Sequence, residues 1–218
     1  MNNLQKVGGV AALLNACLYI TGFIFFGAFW HFPLEADVVQ KLTFLAEHLV
    51  ALSTINFFLY VAFGVLLAIL VVALYYSLKD HAPVFSPLAS VFGLIWVGLV
   101  IASGMIANVG LAAVIKLSVT DPEQAWSLWL AIDTVAEGIG GGNEVVGGLW
   151  VLLLSIAAIK NSKFSNNMNY LGVFVGLTGV MTVYPADIPA ILFGLSQIVW
   201  FIWLGLTMLA AVNFSRNS

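Results

Sequence analysis

Apolar residues run almost unbroken through six stretches of the chain, residues 7–30, 49–78, 87–115, 143–159, 168–184 and 188–214, and polar side chains are gathered into the intervals between them. Crossing a hydrocarbon layer of about 30 Å takes roughly 20 helical residues at about 1.5 Å each. The pattern therefore predicts an all-α polytopic membrane protein, a single bundle of six transmembrane helices over residues 1–218. Barrel strands alternate apolar and polar residues over about ten positions, whereas these runs are continuous, so a barrel is excluded. The first run has too long an apolar core for a cleavable signal sequence and is expected to stay as the first span.

Two intervals carry a helical period of their own. Leu34, Val38, Leu42, Leu45 and Leu49 recur every three or four residues, with Glu35, Asp37, Gln40 and Lys41 on the opposite face. This predicts a short amphipathic helix over about 34–48, lying on the outer membrane surface or capping the bundle. At the second interval, Asp121, Pro122 and Gln124 form a helix-start signal: an N-cap acid, proline at the first helical position and glutamine at the capping-box position. Trp126, Trp129, Leu130, Asp133 and Glu137 share one face of the helix that follows, with Leu128, Ile132, Val135 and Ile139 beside them. The distance from Asp121 to Ile159 is too long for one simple span. A second outer helix over about 121–138, a break and then the fourth span are expected.

Composition sharpens this picture. Charged residues make up 8% of the chain and hydrophobic residues 62%, against about 25% charged in soluble domains. The distribution of the few charges sets the orientation. Lys6, Lys79, Lys160, Lys163 and Arg216 fall on one side of the six-span arrangement, and Lys41 and Lys116 on the other, which places both termini in the cytoplasm. Glu35, Asp37, Glu47, Asp121, Glu123, Asp133, Glu137 and Asp187 fall in the outer connections, with Glu144 at or just below that surface and Asp80 alone inside. The outer surface is thus expected to be an acidic cap. Nothing in this balance suits nucleic acid; the partners expected are the lipid bilayer, with bound lipid, and a larger membrane complex or a second copy of the chain.

Within the spans, Asn15 and Thr21 are read as interhelical hydrogen-bonding groups, Ser53, Thr54 and Asn56 mark the polar start of the second span, and Gly98 with Ala102, followed by Ser103, Gly104 and Asn108, is read as a close-packing stretch. Gly172, Gly176 and Gly179 are expected to admit a neighbouring helix. Cys17 stands alone, which excludes an intramolecular disulfide and a cysteine cluster and leaves it as a small core hydrophobe. Trp200 and Trp203 are read as lipid-facing or core. Pro83 and Pro87 interrupt the second loop.

The end of the second span with its loop and third span, Ala73-Leu74-Tyr75-Tyr76-Ser77-Leu78-Lys79 then Pro87-Leu88-Ala89 and Phe92, joins two further pieces: Ile159-Lys160-Asn161-Ser162-Lys163-Phe164 leading to Leu171-Gly172, and Ile202-Trp203-Leu204-Gly205-Leu206. In these the chain resembles a family of uncharacterised bacterial six-span integral membrane proteins, a domain-of-unknown-function family. The chain departs from that pattern at Asn167, where the family tends to have proline, and at Gln197, where an acid is frequent. The resemblance implies a multi-pass protein of the bacterial cytoplasmic membrane. It supplies no activity and no cofactor.

Ionisable groups at membrane depth cost about 2.5–3.5 kcal/mol on insertion scales, so each is a candidate for function. Glu47 with His48, Glu137, Glu144 and Asp187 are expected near the outer end of the bundle, joined by Asn143. His48 with two carboxylates is a ligand set that suits zinc or iron, but paired metal-ligand spacings are absent from the sequence, and no metal or cofactor is predicted. The run at 137–144, Glu-Gly-Ile-Gly-Gly-Gly-Asn-Glu, is no phosphate loop, because it follows no strand, lacks lysine and is flanked by acids. It reads as a broken or re-entrant helix, tolerated at membrane depth where it is buried in protein or lines a wet cavity. Glu144 there is either solvated, paired with Lys116, or a proton-exchanging group. Two functional classes follow: a non-catalytic accessory subunit or ligand-binding module with an acidic outer cap, and a small proton- or cation-coupled transporter using the break at 138–142 and Glu144. An intramembrane enzyme ranks last, since the chain shows no recognisable nucleophile, dyad or metal motif, and no catalytic residue is named.

Overall fold

A backbone in an apolar environment must satisfy its own N–H and C=O groups, and in the computed structural model every apolar run is helical. The structure describes residues 2–141, 143–161, 164–184 and 186–214. Helix α1 (Asn2–Ile24) widens into a π-helical turn at Phe25–Phe29. Two short helices follow, α2 (Val38–Glu47) and α3 (Leu49–Asn56); α3 passes through a second π-helical stretch, Phe57–Ala62, into α4 (Phe63–Leu78). After the long α5 (Phe85–Ser118), α6 (Pro122–Ala136) runs into a third π turn, Glu137–Gly141, ahead of α7 (Val145–Lys160). Helices α8 (Asn166–Met181) and α9 (Asp187–Phe214) complete the chain. Among the described residues five helices are long and apolar enough to cross a membrane: Asn3–Phe29, Leu49–Leu78, Phe85–Ser118, Pro122–Lys160 and Asp187–Ala211.

The long helices close a ring in the order α1, α4, α5, α7, α8, α9 and back to α1, each packed on the next. Leu67, Leu70, Leu74, Trp96, Trp150, Phe193 and Phe201 fill its centre and are fully buried. Lipid tails are as apolar as these side chains, so cohesion within a bilayer rests on close packing, and glycines set how close. A β-carbon on Gly148 would lie 2.6 Å from the Val180 amide and 2.7 Å from the Gly176 carbonyl, which brings α7 and α8 into backbone contact. Gly93 and Gly147 accommodate a reciprocal pair of indoles, Trp150 against Gly93 and Trp96 against Gly147. Gly172, Gly176 and Gly179 do admit their neighbours, Ser155, Leu152 and Gly148.

Packing also fixes which helix ends lie together. Gly8 and Gln5 of α1 meet Ala73 of α4, Gly9 meets Gly205 of α9, and the Lys160 ammonium sits 4.4 Å from the Phe85 ring centroid. Lys6, Lys79 and Lys160 therefore share one end of the bundle. Asp121, Asp133, Glu137 and Asp187 lie at the other end with α2 and α6. Lys163 and Arg216 lie outside the described residues.

Several expectations need correction. Gly98 is exposed and a β-carbon there would touch nothing within 4 Å; close approach to α5 occurs at Gly93, Gly104 and Gly110 instead. Cys17 is exposed on α1 and not part of the core. Thr21 donates back to its own helix at the Cys17 carbonyl, 2.8 Å, and makes no interhelical bond. Asn15 and Gln197 are buried with no hydrogen-bond partner among the described residues. The amphipathic helix starts at Val38, four residues later than its apolar period, because Asp37 caps it: its Oδ1 accepts from the Gln40 amide at 2.8 Å, with a reciprocal bond from the Asp37 amide to Gln40 Oε1. Asp121 caps α6 through the Gln124 amide at 3.0 Å. Helix α8 ends at Met181, short of the expected 184, and its 16 residues leave it outside the five long helices.

Candidate functional site

The three π-helical segments meet at one cavity. A π turn holds one residue more than an α turn and so re-aims side chains; such turns are frequent at functional sites. Two of them are fixed by contacts on either side. At Phe57–Ala62, Asn56 Nδ2 donates to Asn108 Oδ1 (3.1 Å) and Asn108 Nδ2 donates to the Ser53 carbonyl (3.0 Å), while Gly64 beyond the turn lies against Ile101. The register of α3 and that of α4 are thus set separately on α5, and the turn between them absorbs the difference. At Glu137–Gly141, Ser103 Oγ donates to the Ala136 carbonyl (2.8 Å) and a β-carbon on Gly140 would fall 3.2 Å from the backbone of Leu99 and Val100. Glycine lets the chain cross α5 there, and Gly140 leaves the helical conformation with φ 164° and ψ 8°. The Asn143 amide then donates to the Glu137 carbonyl (3.1 Å), and Asn143 Oδ1 accepts from the Val145 amide (3.2 Å), which starts α7. Gly142 lies outside the described residues.

The cavity has a volume of about 570 Å³. Leu18, Tyr19, Gly22 and Phe23 of α1, with Phe26 and Gly27 of the first π turn, form one wall. Leu59, Tyr60 and Phe63 form the second. Val100 of α5 closes the back, and Glu137, Gly140 and Glu144 close the third side. Five aromatic rings and two carboxyl groups thus line the space, without a basic side chain in the lining.

Glu144 is held from several directions. Its amide donates to Thr182 Oγ1 (2.8 Å), and that hydroxyl donates in turn to the Gly179 carbonyl (2.7 Å). The Tyr19 hydroxyl donates to Glu144 Oε1 (3.2 Å). Oε2 is buried with no partner among the described residues. The buried Trp96 indole N–H is also without a hydrogen-bond acceptor and lies close enough to the same carboxyl group to interact with it. An acid placed this way has one oxygen engaged and one left over. Pairing with Lys116 is not observed; Tyr19 takes that place.

Comparison with protein-family models, curated proteins and solved structures finds no match.

The residues singled out from the sequence separate into three groups. Glu137 and Glu144 line the cavity together, Glu137 exposed at its mouth and Glu144 half-buried. Asn143 serves the local turn. Glu47, His48 and Asp187 are not in the lining. His48 Nδ1 donates to the Phe44 carbonyl (2.8 Å), and its ring stacks on Phe44 (centroids 4.1 Å apart) edge-on to Trp30. That cluster includes Phe32 and packs α2 against the start of α6. Glu47 and Asp187 are exposed. Among the described residues no group of three or more His, Cys, Asp or Glu side chains is placed to hold a metal ion.

Sequence reasoning passed over Tyr19, Tyr60, Trp96 and Thr182. A phenol inside an apolar run looks like core filling. The available signal was spacing: Tyr19 lies four residues after the buried Asn15, and Tyr60 four after the buried Asn56, so each shares a helix face with a buried amide.

Proposed function

We propose that this chain is a non-catalytic, ligand-binding membrane protein that takes a small, largely apolar molecule into the cavity between Tyr19, Tyr60 and Glu144. One observation carries the reading: three separate helices depart from α-helical geometry at the same cavity, and the one half-buried acid in its wall keeps an oxygen free. Ligand pockets are typically about 300–1,000 Å³, mostly apolar, with a few convergent polar groups. The cavity has that size and that composition.

The same reading places the chain in the membrane as six spans, with α8 as the fifth. Support comes from the closed ring, in which α8 lies along α7 and α9, and from Lys6, Lys79 and Lys160 at one end, which favours both termini on the cytoplasmic side of a bacterial inner membrane. Helices α2 and α6 then form the acidic outer cap, and the cavity opens in the outer part of the bundle.

The test is native mass spectrometry of the protein released from lipid nanodiscs. The wild type is expected to carry one small-molecule adduct per chain, and Gly27→Trp to lose it. Gly27 lines the cavity and a β-carbon there meets nothing within 4 Å, so a tryptophan can be added without displacing the core and is expected to occupy the site. Equal adducts in both proteins count against the cavity as the site.

A second reading, a proton- or cation-coupled carrier, is favoured by the interrupted segment at 137–141 beside Glu144, since discontinuous helices mark substrate sites in transporters. Flux of a cation or solute into proteoliposomes, abolished by Glu144→Gln, distinguishes a carrier from a binding protein that moves nothing.

A further inference from the structure

The cavity's chemistry narrows what it takes. We infer that its ligand is an organic cation with an apolar body, held by the Glu144 and Glu137 carboxyl groups and by the faces of the surrounding aromatic rings. This rests on the ligand-binding reading of the same cavity.

Four observations exclude the alternatives in turn. An anion would meet two carboxyl groups and no basic side chain, since neither lysine nor arginine lines the space. Two amides at the head of α7, where an anion is otherwise favoured, are engaged: that of Glu144 by Thr182 and that of Val145 by Asn143. A small inorganic cation requires several oxygen ligands converging on one point, whereas the lining offers two carboxyl groups and among the described residues no three His, Cys, Asp or Glu side chains converge. A purely apolar guest leaves Glu144 Oε2, already buried without a partner, still uncompensated.

An organic cation answers each point. Its charge lies beside the Glu144 carboxyl group in the cavity wall, and its body lies against Tyr19, Phe23, Phe26, Tyr60 and Phe63. Aromatic faces attract cations within about 6 Å of the ring centroid, and the attraction strengthens on desolvation. Tyr19 supports the arrangement indirectly by donating to Oε1 at 3.2 Å, which holds the carboxyl group in the cavity wall. Glu137 is exposed at the mouth and lends longer-range attraction. The exposed Phe23 and Phe26 make the entrance apolar. A guest entering by that route must itself be lipophilic.

The probes are tetraphenylphosphonium, tetraphenylborate and triphenylphosphine oxide: a cation, an anion of the same shape and a neutral relative. Equilibrium binding of each is measured to the full-length protein purified in maltoside detergent, by scintillation proximity. Saturable binding of the phosphonium alone is expected, lost in Gly27→Trp and weakened at least about tenfold in Glu144→Gln, with thermal unfolding checked for each variant. Should Glu144→Gln fail to fold, Glu137→Gln carries the charge test, with a loss of about two- to fivefold that high salt diminishes. Borate or phosphine oxide binding as tightly as the phosphonium, with sensitivity to Gly27→Trp, overturns the cation inference and leaves the cavity as a binding site. Phosphonium binding undiminished by both acid-to-amide substitutions overturns it likewise. Binding of no probe, or binding indifferent to Gly27→Trp, overturns both.

Discussion

The Tyr19 hydroxyl donates to Glu144 Oε1 across 3.2 Å and so links α1 to the head of α7, two helices that are not neighbours in the ring. The bond makes the acid's orientation depend on a helix that also forms the cavity wall.

Removing the donor should therefore be costly. Tyr19→Phe leaves Oε1 without its hydrogen bond beside an Oε2 that already lacks one, and leaving a buried polar atom unsatisfied costs about 1–3 kcal/mol. Unfolding of the purified protein in detergent, with Glu144→Ala and the double variant completing the cycle, should show a coupling of about 0.5–3 kcal/mol. Strict additivity of the two changes contradicts the contact.

The glycines make contrasting predictions. Gly148→Ala forces a β-carbon to within 2.6 Å of the α8 backbone, which cannot yield as a side chain does, so a loss of about 1–3 kcal/mol or more is expected. Gly98→Ala meets open space on an exposed helix and should stabilise the protein by roughly 0.5–1 kcal/mol. Thermal unfolding of the pair decides it; similar losses in both would mean that α5 is packed at Gly98 after all.

Asn108 bridges α5 to two positions before the second π turn. Asn108→Ala strands the buried Asn56 amide and should cost about 1 kcal/mol, within the range seen for hydrogen bonds between membrane helices. Thr21→Val, which removes a bond only within α1, should stay within about 0.5 kcal/mol. Hydrogen exchange at residues 57–62 should rise in the first variant and not in the second.

At the acidic end, Asp121→Ala deletes the α6 cap and should cost about 1 kcal/mol, read as faster exchange of the Gln124 amide with the cavity residues unaffected.

The sequence displays the ends of elements better than their interiors. The break at 137–144 is legible because glycines between acids, in a chain this apolar, serve neither packing nor lipid. Asp121 is legible as a cap because its side chain acts on the amide three residues away with proline next to it, whereas Asp37, which caps α2 in the same way, sits inside a period that already reads as helix. The π turns at Phe25–Phe29 and Phe57–Ala62 leave no such mark: one extra residue per turn does not disturb a pattern that is apolar all round. For the same reason Tyr19 and Tyr60 read as core aromatics, marked only by their four-residue spacing from Asn15 and Asn56. His48 misleads in the other direction, since an ionisable ring at a span's end attracts a functional reading while its partners are a carbonyl and the Phe44 face. The expected extension of the fifth span to 184 fails at Thr182, whose hydroxyl bonds to the Gly179 carbonyl and receives the Glu144 amide, so that the end of α8 is set by the site.

The most direct measurement locates a guest in the cavity. Tetraphenylarsonium has the shape of the phosphonium probe and an anomalously scattering centre. Diffraction from crystals grown with it, collected at the arsenic edge, should give one dominant anomalous peak among Tyr19, Tyr60 and Glu144, absent from Gly27→Trp crystals. A dominant peak elsewhere, for example in the aromatic cluster around Trp30 and His48, or one that persists in the cavity-filled variant, contradicts the cavity as the binding site.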